Sequence, residues 1–154
     1  TKWEVETVSG EDGDHTRLTF HLRDRVKWHD GSPFTSKDVG KTLEFLRDNE
    51  IPRYFDNVRD ILKVETPDDL TVIVTMKNVS FWHLHNIGGS PVFPAHLLEG
   101  VDEWETWQPA AEPHPSVKGL TSLVGTGPFV FREYRQGEYV HFVSNEDFWL
   151  IGGD

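Results

Sequence analysis

Cysteine is absent from the 154 residues, so disulfides and thiolate metal sites are excluded. That absence leaves an extracellular home open, since exported proteins do not require disulfides. Positive charge is scarce: 15 Lys and Arg stand against 26 Asp and Glu, for a formal net charge of -11. A surface so poor in cations argues against binding a phosphate backbone, which needs clustered Lys and Arg. Solubility alone is a sufficient reason for the acidity. No apolar run approaches the ~20 residues that span a bilayer. Thr1 leads directly into a strand-like Trp3-Glu4-Val5 run, so no export signal is expected within the chain. Internal repeats and low-complexity tracts are also missing.

What remains is enough for a folded module. Hydrophobic residues make up 36%, with ten Phe and six Trp to build a core, while a mean hydropathy of -0.50 points to a polar surface. The densest local information lies in Leu18 to Leu46. Leu18, Phe20 and Leu22 alternate with Arg17, Thr19, His21 and Arg23, the pattern of a strand with one buried face. Asp30-Gly31 and Ser32-Pro33 turn the chain. Thr35 is placed to cap a helix, and Asp38 three residues on favours its exposed N–H groups. Val39, Thr42, Leu43 and Leu46 share one helical stripe, with Lys41, Glu44 and Arg47 outward.

This stretch, with its order F-x-L-R-x-x-V-K-W-H-D-G-x-P-F-T-x-x-D-V, resembles the signature region of the family 5 extracellular solute-binding proteins. These are the peptide, nickel and oligosaccharide receptors of ABC importers. A second block strengthens the likeness: Gly125-Thr126-Gly127-Pro128-Phe129, a strand through Arg132-Glu133-Tyr134, a turn at Gly137, a further strand, and Asn145-Glu146-Asp147-Phe148-Trp149. Glu146 stands where the family usually has Pro. Between the blocks, Val64-Glu65 followed by Asp69, Leu70, Thr71 and Val72 resembles a family hairpin. The resemblance implies an α+β fragment of a two-lobed periplasmic-binding-protein-like (type II) fold, mainly antiparallel strands with a few short helices. Family members are several times longer, so an internal piece is expected. Residues 1–115 would be the extra subdomain that distinguishes the family, and 116–154 would be incomplete strands re-entering the first lobe. Ile151 to Asp154 would stop where a family member carries on.

Pattern alone places the remaining elements. Strands are expected at Trp3 to Val8, at 15–23, and in a hairpin of Ile61 to Glu65 and Leu70 to Lys77 around Thr66-Pro67-Asp68-Asp69. The helix at 36–48 should end near Asn49, with Pro52 as a stop signal. Short helical turns are expected at Phe81 to Asn86, closed by Gly88-Gly89, and at Ala95 to Glu99. From Gly100 to Pro115 the chain is acidic and Pro-rich, the best boundary. Phe129 to Tyr134 and Tyr139 to Val143 read as a closing hairpin.

Four clusters invite a chemical reading. His83-x-His85 suggests a metal pair, but a helix would separate the two imidazoles by about 200°, and no H-E-x-x-H or Cys pair accompanies them. Trp28-His29-Asp30-Gly31 looks catalytic, yet no nucleophile motif is present to use it, and Asp-Gly is a standard turn signal. Gly125-Thr126-Gly127 lacks the spacing of a nucleotide loop. Trp104 and Trp107 would stack on sugars if exposed, and would anchor a long loop if packed. The family likeness implies ligand capture, with no catalytic residue, metal or cofactor expected. The resemblance implies peptides as the first ligand class and oligosaccharides as the second. It also implies ABC permease subunits as partners, no nucleic acid, and an extracellular or periplasmic location with an exported parent, lipid anchoring included. Tyr54 and Phe55, after the first long helix, are the ligand-wall residues that the resemblance implies.

Overall fold

A computed structural model describes residues 2–99, 101 and 103–150. Asp102, within the acidic stretch, and the terminal run from Ile151 lie outside the described residues. The chain forms two compact units, the first from residues 1–24 and 35–98, the second from residues 25–34 and 99–154.

The first unit is a four-stranded antiparallel sheet with helices on it. β1 (Lys2–Gly10) and β2 (Gly13–His21) form a tight hairpin. α1 (Ser36–Asp48) and the single turn α2 (Phe55–Val58) follow. β3 (Ile61–Asp68) and β4 (Thr71–Met76) make a second hairpin, and the sheet order is β1-β2-β4-β3. The predicted turn is tighter than expected. β3 continues through Thr66-Pro67 with irregular register to pair Asp68 with Thr71, and Asp68 closes the bend by accepting the Leu70 N–H at 2.9 Å. That backbone hydrogen bond holds the Asp68 carboxyl below its ordinary range. α3 (Trp82–Gly88) and α4 (Ala95–Leu98) complete the unit.

Pairing brings Leu18 opposite Val74 and Phe20 opposite Val72, so their side chains share one face. Leu18, Val72, Val74 and Met76 are fully buried there beneath Leu43 and Leu46 of α1. Gly40 eases the close approach of α1 to β3, because a Cβ on it would sit 3.1 Å from the Thr66 methyl, a tight contact. Polar groups fix the helix along its axis. Ser36 donates its N–H to the Asp69 carbonyl and its hydroxyl to that of Asp68. Thr42, fully buried, exchanges hydrogen bonds with the Phe93 backbone at 2.9 and 3.2 Å.

Both residues expected at the cap take part in it, as a capping box. Thr35 occupies the N-cap with its side chain facing the Asp38 N–H, and its hydroxyl lies 3.4 Å from the Asp38 carboxylate. Asp38 supplies the stronger half: Oδ2 accepts the Thr35 N–H at 2.7 Å, and Oδ1 accepts the Ala95 N–H at 2.8 Å. The carboxylate is buried, so those donors replace its water.

The second unit contains the hairpin of β5 (Phe129–Arg135) and β6 (Tyr139–Ser144), together with irregular chain. Val26, Trp28, Leu120, Val130 and Phe131 are its buried apolar residues.

Two outcomes are expected from this packing. Leu43→Ala should destabilise the protein by about 2–5 kcal/mol, as for a filled core position. Denaturant unfolding checks it, and a loss below about 0.5 kcal/mol would mean Leu43 behaves as a surface residue. Asp38→Ala should cost about 2–4 kcal/mol, more than Thr35→Ala, because two backbone donors lose a charged acceptor. Equal costs for the two substitutions would return the cap to Thr35.

Candidate functional site

In the second unit the two sequence blocks meet through histidine. His29 lies in the turn that Asp30 begins. Its Nδ1 accepts the Gly125 N–H at 3.0 Å, and its Nε2 sits 3.0 Å from the Gly127 carbonyl. That pattern assigns the proton to Nε2. His29 N–H also donates to the Gly125 carbonyl at 2.9 Å, and the Asn145 amide donates to Gly127 O at 2.9 Å. The Gly-Thr-Gly run is thus clasped from both sides.

Asp30 makes the neighbouring clasp. Oδ1 accepts the Ser32 N–H and hydroxyl at 2.8 and 2.6 Å, which forms the turn. Oδ2 faces His114 Nε2 at 3.0 Å, with both side chains 2% exposed. His114 Nδ1 accepts the Ser116 and Val117 N–H groups at 3.1 and 3.0 Å, so Nε2 carries the proton that Asp30 receives. Trp28 is buried beside this turn and meets Phe34 edge to face at 5.6 Å. These four ring nitrogens are committed to structure. Through these bonds the His29-Asp30 run ties together loops far apart in sequence. The pairing of Asp30 with His114 across 84 residues left no sequence signal.

The other predicted residues fall elsewhere. Tyr54 caps α2 and Phe55 begins it, and both are half-buried against the core of the first unit. Arg53 lies over the Tyr54 ring at 5.7 Å. They are therefore partly committed to packing. His83 and His85 lie on helix α3, where His83 is buried and His85 exposed, so the two rings diverge. Trp104 and Trp107 are half-buried in the irregular stretch after α4. Among the described residues no helix is long and apolar enough to cross a membrane.

The antiparallel α+β architecture is thus accompanied by a glycine loop held by His29 and Asn145, and by a turn in which Asp30 meets His114. The chain belongs to the bacterial extracellular solute-binding proteins, family 5, whose model matches residues 3–154. It is 32% identical over 136 residues to a protein of Brucella ovis named as an ABC transporter peptide-binding protein, covering 88% of this chain and 24% of that protein. Two solved structures are also similar. NikZ from Campylobacter jejuni in complex with Ni(L-His) is 29% identical, with a TM-score of 0.69 over 94% of this chain and 27% of that one. The binding protein AgaA with agropinic acid, from A. tumefaciens R10, is 27% identical, with a TM-score of 0.72 over 98% and 27%. The chain thus spans about a quarter of the length of the relatives it matches.

His29→Phe keeps a ring of similar size and deletes both loop bonds. It should destabilise the protein by about 1–3 kcal/mol, and the Gly125 amide should lose hydrogen-exchange protection. Unchanged exchange at Gly125 would show that the clasp is not what orders the loop.

Proposed function

We propose that the chain is part of the capture component of an ABC importer, and that it binds a small solute without transforming it. The observation that carries this reading is the family match along residues 3–154. In the whole protein two lobes would close on the solute by hinge motion and deliver it to permease subunits at the membrane. The chain would supply one wall of the cleft. Residues 1–115 would form the extra subdomain and 116–154 strands of the first lobe. The whole protein would be exported, and lipid anchoring would keep it near its permease.

Peptides are the first ligand class, supported by the name of the Brucella relative. A second class is favoured by a specific observation. NikZ and AgaA are solved with Ni(L-His) and agropinic acid, so these two solutes also belong in the trial. Oligosaccharides are less favoured, because the half-burial of Trp104 and Trp107 limits the ring faces they offer to a sugar.

Tyr54 and Phe55 remain the proposed wall residues, each presenting the part that the core leaves uncovered. Tyr54→Ala in the full-length protein should weaken solute binding by about tenfold, up to the ~1.5–3 kcal/mol of a fully buried side chain. Calorimetry with a peptide library, Ni(L-His) and agropinic acid, beside a denaturation curve for the variant, separates lost contact from lost folding. Normal affinity at normal stability would remove Tyr54 from the site. The isolated chain should bind none of these solutes at micromolar concentration, and tight binding by it would sink the half-cleft reading.

A further inference from the structure

α3 carries a buried histidine that the capture function does not use. His83 is 5% exposed, and its Nδ1 is fully buried with no hydrogen-bond partner among the described residues. Its own N–H is satisfied by the Ser80 carbonyl, and Ser80 N–H is in turn held by the Thr16 hydroxyl at 3.2 Å. The helix it sits on is short. Ile87 and Leu84 fasten it to the core, and Phe81 and Trp82 stand exposed at its start.

We propose that His83 is an acid-sensitive latch: neutral, it lets α3 lie closed on the first unit, and protonated, it drives local opening of α3. A buried Nδ1 that gains a proton becomes a charged donor with no acceptor, and the cheapest relief is to admit water by lifting the helix. The surrounding charges do not compensate. Asp56 of α2 is paired with Arg59 at 3.0 Å. Lys77 donates to the Arg59 carbonyl at 3.2 Å, and His15 is held between Lys77 O and Asp12. His85, on the same helix, is exposed against the Trp82 edge. Burial holds His83 below the ordinary imidazole range, and the opposing attraction of Asp60 is smaller than that cost.

The sign follows from that depression. The closed state favours the neutral ring, so its stability is complete above the unfolded value of about 6.5 and falls as pH drops through it. The loss levels off below the folded pKa. At pH 5.5 the opening equilibrium should therefore rise by up to about tenfold. The latch is independent of ligand identity, so it goes beyond the capture function and does not rest on it.

Hydrogen exchange read by mass spectrometry on the full-length protein tests this between pH 7.5 and 5.5, with rates corrected for the intrinsic effect of pH. Peptides covering residues 81–90 should lose protection, by at most about tenfold, while β2 and β4 hold theirs, and His83→Gln, which does not titrate, should abolish the loss. An equal loss in His83→Gln, or none in the native protein, would overturn the latch. Should that variant fold poorly, NMR titration of histidine-labelled native protein decides: a His83 ring titrating well below 6.5 supports the proposal, and one at or above 6.5 refutes it.

Discussion

A buried carboxylate is tolerated only when donors replace the water it gives up, and the first unit is arranged around meeting that condition at Asp38. One oxygen takes the N–H at the start of α1, and the other takes the N–H at the start of α4. Ser36 anchors the same turn to the tip of the β3–β4 hairpin, and Thr42, two turns further, is bonded to Phe93. These contacts divide the labour with the core. Leu43 and Leu46 decide which face of α1 turns inward, but burial of apolar surface is non-directional and does not choose a position along the axis. The polar bonds choose it.

That division explains what is legible in the residues alone. The helix 36–48, both of its ends, its buried stripe and the three hairpins are readable, because each rests on local periodicity or on residues within a few positions of one another. The Thr-x-x-Asp capping box is readable too, though not which of its two side chains carries the stronger bonds. The partner of Asp38 on α4 lies 57 residues away, and the partner of Asp30 lies 84 away. No periodicity spans such distances. Tyr54 and Phe55 stand out as an aromatic pair after a helix, a pattern that cannot separate a ligand wall from the core packing both residues also provide.

The histidines show why composition is a poor guide to chemistry. Eight imidazoles in a chain without cysteine suggest metal or acid–base work. Yet a ring is available for such work only if a nitrogen remains uncommitted. His29 and His114 each accept at Nδ1 and face an oxygen at Nε2, so they act as rigid brackets between segments far apart in sequence. Imidazole suits the bracket role because it accepts on one side and donates on the other, and its planar ring fixes the angle between them. An amide side chain has the same two functions on a more flexible stem.

Rigid brackets in turn suit capture better than catalysis. A receptor that closes by hinge motion needs walls that move as bodies, so that binding energy goes into closing the lobes and little into ordering loops. Loops of the second unit that would otherwise carry mobile glycines are tied by Asp30, His29, His114 and Asn145, each bonded to backbone or to one another. His83 is the counterexample within the same chain. Its buried nitrogen has no partner among the described residues, so the segment that holds it is the one whose closure depends on the ring staying neutral. Where the imidazoles are satisfied on both sides the chain is fixed in place, and where one is left unsatisfied the fold retains a point that acid can open.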